Sequence, residues 1–322
     1  MEEVLYEKIP SLDLATFCTG TPAQRTEFVS HLGEAYSNIG FVAIRNHFLR
    51  EEVRNRLYDA IQRFFGLPDS VKSKYEIPGL AGQRGYTSKG KEHAKGRNTG
   101  DLKEFYHVGQ EGDDSDLPID YPANVWPEEV PDFRSAALEA FKALEQTGVY
   151  MLKAIALYLG LDESYFDDRV RNGNSILRPI HYFPIDDPDA VPADAVRAAE
   201  HGDINLITLL MGASAEGLQV LRRDGKWIPI TALPDQLVVN VGDMLERLTN
   251  GRLRSTIHRV VNPPRDRMNT PRYSIPFFMH PRSEVDLSCL ACCIDDDHPK
   301  LFEDITAGEF LDQRLAEIGL KR

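Results

Sequence analysis

His201-Gly202-Asp203-Ile204-Asn205-Leu206-Ile207-Thr208-Leu209-Leu210 opens with an imidazole and a carboxylate two positions apart, then continues as an apolar strand. Side chains two apart on a strand project from the same face. If the strand extends back to its first residue, His201 and Asp203 reach into the same space. Far downstream, Thr256-Ile257-His258-Arg259-Val260-Val261 is another strand-like run with an imidazole inside it. A jelly roll brings such distant strands side by side. Two imidazoles and one carboxylate on one face suit a non-haem Fe(II) ion with three coordination positions left open. That set cancels only part of the ion's charge, so an anionic co-ligand is favoured.

The surrounding rhythm is that of a β-sandwich. From residue 175 onward the candidate strands are Ile176–Tyr182, Ile204–Leu210, Gly217–Leu221, Trp227–Ile230, Gln236–Val241, Thr256–Val261 and Tyr273–Met279. Arg223-Asp224-Gly225-Lys226 supplies a hairpin-type turn between two of them. Short strands at this spacing predict a sandwich or jelly roll. Arg272-Tyr273-Ser274 follows His258 by 14 residues. Its guanidinium fork and hydroxyl share one face and form a receptor for a carboxylate. Tyr182, on an earlier strand, is placed to add a hydrogen bond to the same anion.

The N-terminal part reads differently. Ile9–Leu14 alternates like a short strand. Thr21-Pro22-Ala23-Gln24 has the form of a helix start with a capping box. Phe41–Ile44 reads as a buried strand, and a second helix runs from about Glu51 to Gly66. Residues 77–130 show little periodicity and are read as a long loop region, with short strands around Arg84–Thr87 and Phe105–Val108. A loop of that length is often functional. A long helix is expected from Pro131 to Leu159, weakened in its middle by Gly148, and a last helix begins at the cap Thr306-Ala307-Gly308-Glu309.

Composition bounds the function. The 322 residues are 42% apolar and 27% charged, with a formal net charge of −13. A surface of that sign repels phosphate backbones and anionic lipid, so nucleic-acid and membrane partners are not expected. No apolar run approaches the ~20 residues of a membrane span, and residues 1–10 lack the pattern of a secretory signal. The 4 cysteines do not make a disulfide scaffold. A cytoplasmic protein, monomeric or weakly homo-oligomeric, is the expectation.

Taken together, these motifs resemble the isopenicillin N synthase-like family of Fe(II)/2-oxoglutarate-dependent oxygenases over nearly the whole chain. In the first half the likeness is carried by Gly40-Phe41-Val42-Ala43-Ile44-Arg45-Asn46-His47, Phe64-Phe65-Gly66-Leu67-Pro68, Arg84-Gly85-Tyr86 and Asp101-Leu102-Lys103-Glu104-Phe105. In the second it is carried by Leu177–Tyr182, His201–Leu210, Gly217–Val220, Asn240-Val241-Gly242-Asp243, Thr249-Asn250-Gly251, His258–Pro263 and Arg272–Ser274.

The resemblance implies a mainly β protein with flanking helices. Its double-stranded β-helix (a cupin-like jelly roll) would follow a helical N-terminal region and end in a C-terminal helix. Residues 1–130 would form the lead-in and a pocket-covering region. Residues 131–322 would form the oxygenase region of the same compact unit. It further implies iron held by His201, Asp203 and His258. The co-substrate 2-oxoglutarate would chelate that iron and be gripped at its distal carboxylate by Arg272 and Ser274 with help from Tyr182. Oxygen would be consumed, succinate and CO2 released, and a small molecule hydroxylated, desaturated or cyclised. Ile180 stands where many plant members carry Asn, and Phe48 where Gly is commoner.

Other readings stay open at this point. The same residues suit an iron oxidase like isopenicillin N synthase itself, which uses no keto acid, or a non-catalytic jelly-roll binding protein. Arg84, Tyr86 and His107 lie over the expected pocket mouth and are candidates for substrate contact. His47 reads as part of a structural turn, and His181 should point away from Tyr182. Cys289-Leu290-Ala291-Cys292-Cys293 with His298 offers only one half of a zinc site and reads as packing.

Overall fold

Local chemistry sets the helical lead-in. The computed structural model describes residues 5–80, 82–91, 103–111, 121–187, 196–211, 217–231 and 233–317. β1 (Ser11–Asp13) is shorter than the expected strand, because Asp13 caps α1 (Leu14–Thr19), its Oδ1 accepting from Ala15 N at 3.0 Å. α2 (Pro22–Asn38) starts at the expected capping box. Thr21 Oγ1 accepts from Gln24 N, and Gln24 Oε1 accepts from Thr21 N. Strand β2 (Phe41–Arg45) follows, then α3 (Glu51–Phe65) with Val53, Leu57, Ala60, Ile61 and Phe64 buried on one face, then the short α4 (Asp69–Lys72).

β3 (Gly85–Thr87) and β4 (Lys103–Gly109) pair antiparallel within the region read as loop. The long helix α5 (Phe133–Tyr158) and the short α6 (Asp167–Val170) come next. Gly148 is a packing device. A Cβ there would collide with Met279 Sδ, so its absence lets the helix lie close to the sheet.

The expected strand 176–182 is two strands, β5 (Ile176–Leu177) and β6 (Ile180–Tyr182). Pro179 between them has no N–H for a ladder. The remaining elements are β7 (Ala198–His201), β8 (Ile207–Met211), β9 (Leu218–Leu221), β10 (Trp227–Pro229), β11 (Leu237–Val241), α7 (Asp243–Leu248), β12 (His258–Val260), β13 (Arg272–Met279) and α8 (Ala307–Glu317). α8 starts on Thr306 and Glu309, as expected.

Two sheets face each other. The smaller has the order β10-β9-β12-β7, and the larger contains β8, β11 and β13 together with β1 to β6. From β7 the chain passes from the small sheet to the large and back: β8 lies in the large sheet, β9 and β10 in the small, β11 in the large, β12 in the small and β13 in the large. This alternation is the double-stranded β-helix. The helices cover the outer face of the large sheet, where the Phe141 and Phe277 rings meet edge to face at 4.9 Å. Between the sheets a smaller apolar cluster of Ile180, Val220, Ile228, Val238 and Val260 closes part of the interior. The rest of that interior is the site.

Candidate active site

His201 is the last residue of β7 and His258 the first of β12, and the two face each other across the antiparallel ladder. Their ring centroids are 4.4 Å apart. Each Nδ1 donates to the carbonyl two residues earlier, His201 to Ala199 at 2.7 Å and His258 to Thr256 at 3.2 Å. A carbonyl only accepts, so each Nδ1 carries a proton, and Nε2 is the nitrogen that the neutral ring leaves free to ligate.

Asp203 reaches the same point by another route than the expected one. The strand carrying His201 ends there, and residues 202–206 connect it to β8 outside any strand. A Cβ on Gly202 would stand 3.0 Å from Asp243 Oδ1 and 3.1 Å from Ser255 Oγ, so this position has little room for a side chain. Asp203 therefore sits on the connecting segment rather than on the strand that carries His201. Its Oδ1 lies 3.7 Å from His258 Nε2 and 4.0 Å from His201 Nε2.

The other oxygen, Oδ2, accepts from Thr208 Oγ1 at 2.7 Å and from Asn240 Nδ2 at 2.8 Å. Burial opposes ionisation of Asp203. The two imidazoles and these two hydrogen bonds outweigh it and hold the carboxyl below its usual range. For His201, burial and the adjacent His258 hold the imidazole down to about 4, leaving it neutral and able to ligate at physiological pH. One ligand atom from each of the three residues falls within 4.8 Å of the others, and no other such group of His, Cys, Asp or Glu occurs among the described residues. Two imidazole nitrogens and one carboxylate oxygen, each ligand's second polar atom already engaged, match the donor set of a facial Fe(II) site.

A cavity of about 370 Å³ opens beside the triad. Every second side chain of β13 faces it: Arg272, Ser274, Pro276 and Phe278, with His280 beyond. The intervening Ile275, Phe277 and Met279 pack outward against the helices. Arg272 is opposite Tyr182 and Ser274 opposite Ile180 in the ladder with β6. The Arg272 guanidinium is only 1% exposed and lies 4.8 Å from the Tyr182 ring centroid. The three expected carboxylate-receptor residues therefore share one end of the cavity.

The substrate-contact candidates divide. His107 lines the cavity, whereas Arg84 and Tyr86 do not. Tyr86 faces the helical core and donates from its hydroxyl to Glu104. Arg84 is buried with its guanidinium packed over Gly109. The alternation of a single strand pair explains both, since Tyr86 opposes Tyr106 and shares its outward face. His181 points away from Tyr182, as expected, stacking on Tyr273 at 4.9 Å and donating to Glu104 at 2.8 Å. His47 holds a turn by donating from Nε2 to Asp235 O at 3.1 Å. The residues that sequence reasoning missed are Thr208 and Asn240, which steer Asp203, and Lys103, Asn174, Arg178 and His280, which line the cavity. Of these, Lys103, Arg178, Thr208 and Asn240 lie inside the motifs that carry the family likeness, but their neighbours give no sign of their partners.

Comparison with known proteins agrees with this geometry. Residues 173–281 match the 2OG-Fe(II) oxygenase superfamily, and residues 9–129 match the family described as non-haem dioxygenase in morphine synthesis N-terminal. A 2OG-Fe(II) oxygenase family protein from Caulobacter crescentus is 42% identical and superposes with a TM-score of 0.84 over 96% of this chain and 99% of that one. A full-length Neurospora crassa protein, solved in complex with alpha-KG and thymine, is 30% identical with a TM-score of 0.85 over 96% of each chain. Proline hydroxylase buaE of Petromyces alliaceus is 33% identical over 96% of this chain and 99% of its own.

A jelly roll with two imidazoles and one carboxylate at its mouth defines a non-haem iron oxygenase. The chain belongs to the 2OG-Fe(II) oxygenase superfamily, and it is a 2-oxoglutarate-dependent dioxygenase of small molecules that uses Fe(II) and O2. The relatives named as 2-oxoglutarate-Fe(II) oxidoreductases and the neighbour solved with alpha-KG support the keto-acid enzyme over the other two readings. Among the described residues no helix is long and apolar enough to cross a membrane.

Proposed function

We propose that His201, Asp203 and His258 are the iron ligands, and that Arg272, Ser274 and Tyr182 receive the distal carboxylate of 2-oxoglutarate. The observation that carries this reading is that both Nε2 atoms and Asp203 Oδ1 converge at one mouth of the cavity, while the buried guanidinium of Arg272 lines the same cavity. When bound, iron and the keto acid supply an oxidising equivalent from O2 as the keto acid is split to succinate and CO2. The protein's own part is orientation and exclusion of water.

Thr208 and Asn240 turn Asp203 so that Oδ1 faces the metal position. The Nδ1 bonds of His201 and His258 fix both rings in the ligating tautomer. Arg272 gives a bidentate anion receptor that a lysine does not reproduce. His107 and Phe278 line the same cavity, whose apolar walls keep water from the reacting centre around a small primary substrate. In this reading residues 1–130 and 131–322 work as one catalytic unit, because β4 contributes Lys103 and His107 to a cavity built mainly by the second half.

The test is anaerobic. Adding Fe(II) and 2-oxoglutarate to the protein should produce the visible charge-transfer band of the iron chelate, and admitting oxygen should release succinate. Iron-loaded protein that shows neither would refute the assignment.

A further inference from the structure

Along β13 the cavity changes its chemistry. At the Arg272 end the protein offers hydrogen-bond donors to an anion. At the other end, beyond Phe278, it offers acceptors. There the chain segments around residues 174 and 280 run side by side. Asn174 N donates to Pro281 O at 3.2 Å, and His280 N donates to Ser175 Oγ at 3.1 Å. Both Asn174 and His280 line the cavity.

His280 is 7% exposed, and its Nδ1 donates to Phe278 O at 3.2 Å. The proton is therefore on Nδ1, and Nε2 carries a lone pair that meets no donor. Burial holds the imidazole down to about 4, so the ring is uncharged at neutral pH. Asn174 Oδ1 is also buried and also meets no donor. Buried polar atoms in folded proteins are nearly always paired, and two unpaired acceptors on neighbouring segments of one cavity mark a place that a ligand completes. The walls beside them are apolar, with Phe278 directly opposite Ile176 in the ladder and Leu311 and Leu315 of α8 nearby.

We infer that Asn174 and His280 are specificity-determining residues that accept hydrogen bonds from N–H or O–H groups of a neutral primary substrate, of the cyclic amide or imide class. This rests on the oxygenase reading of the same cavity. A flat ring with an N–H edge matches the two unpaired acceptors and the apolar walls together.

Matched compounds test the inference. Succinate release is measured at saturating Fe(II) and 2-oxoglutarate with 2-piperidone against δ-valerolactone, and with thymine against 1,3-dimethylthymine. The first pair removes the donor at nearly constant shape. At least one N–H compound should raise succinate release about tenfold or more over the substrate-free rate, with its donor-free partner inactive. His280→Phe and Asn174→Leu should each lose that stimulation. The inference is overturned by equal stimulation from the donor-free partners or by undiminished stimulation in both variants. It is equally overturned if neither N–H compound stimulates a wild-type protein that shows the band. A wild-type protein without the band overturns the oxygenase reading and this inference with it. Because the compound pairs are read in wild type, a variant that fails to fold leaves the test intact.

Discussion

Asn240 Nδ2 stands 2.8 Å from Asp203 Oδ2, on the side of the carboxylate turned away from the two imidazoles. Asn240 belongs to β11 and faces Thr208 of β8 across the ladder, and Thr208 donates to the same oxygen at 2.7 Å. Two adjacent strands of the large sheet thus grip one oxygen and leave the other for the metal. Partners of this kind typically change metal affinity by about 10–100-fold. Asn240→Ala should therefore weaken Fe(II) binding within that range while leaving the fold cooperative. Anaerobic iron titration of the variant measures it, and an unchanged affinity would show that Thr208 alone orients the carboxylate.

Arg272 differs from a surface arginine in being buried against the Tyr182 ring. Arg272→Lys keeps the charge and loses the planar fork. A hydrogen bond to a charged group contributes about 1.5–3 kcal/mol, so the half-saturating concentration of 2-oxoglutarate should rise by about 10–100-fold. The maximal rate at saturating co-substrate should fall much less. Steady-state kinetics in 2-oxoglutarate separate the two parameters, and a variant with unchanged co-substrate requirement would remove Arg272 from the receptor.

Glu104 on β4 is the hub of a buried polar cluster outside the cavity. It accepts from Lys72 Nζ at 2.7 Å, from His181 Nδ1 at 2.8 Å and from the Tyr86 hydroxyl. Burial alone would raise its pKa, but these three donors outweigh burial and lower it from 4.5. The folded value lies below the unfolded one, so the stabilisation is present above the unfolded value and is lost as pH falls through the folded value. Glu104→Gln should accordingly flatten the acid limb of the stability curve below about pH 4.5. Glu104→Ala, which leaves Lys72 with only the exposed Asp69 carboxylate at 3.1 Å and the Phe65 carbonyl as partners, should cost up to about 3–5 kcal/mol. Urea denaturation at neutral pH and at pH near 4 measures both effects.

Much of this site was legible because its chemistry needs particular residue types at short fixed offsets. His201 and Asp203, Arg272 and Ser274, and the capping pairs Thr21 with Gln24 and Thr306 with Glu309 are all of that kind. What stayed hidden depends on which way a strand faces or on partners far away in the chain. β7 went unread because Ala198, Ala199 and Glu200 have weak strand preference, and the strand forms because β12 pairs with it. Tyr86 and His107 were equally plausible cavity residues from sequence. A one-residue alternation in the β3–β4 register sends one toward Phe64, at 5.9 Å between rings, and leaves the other in the cavity. The grip of Asn240 on Asp203 spans 37 positions of sequence, a separation at which no local pattern speaks.

Gly148 lies inside α5, where alanine should be favoured by about 1 kcal/mol on helix propensity alone. The structure reverses that expectation. A Cβ at this position would collide with Met279 Sδ and come 3.4 Å from Leu209 Cδ1, both of them fully buried side chains of the large sheet. Overpacking a well-filled core costs about 1–3 kcal/mol, which exceeds the propensity gain. Gly148→Ala should therefore destabilise the protein, whereas the same change at an exposed helical glycine would stabilise it. Because Met279 ends the strand that carries Arg272 and Ser274, the displacement should also raise the half-saturating concentration of 2-oxoglutarate. Shortening the obstructing side chain gives the control. If the collision is the cause, Met279→Ala combined with Gly148→Ala should be more stable than the sum of the two single changes implies. Additive losses in the double variant would place the cost in the helix backbone instead.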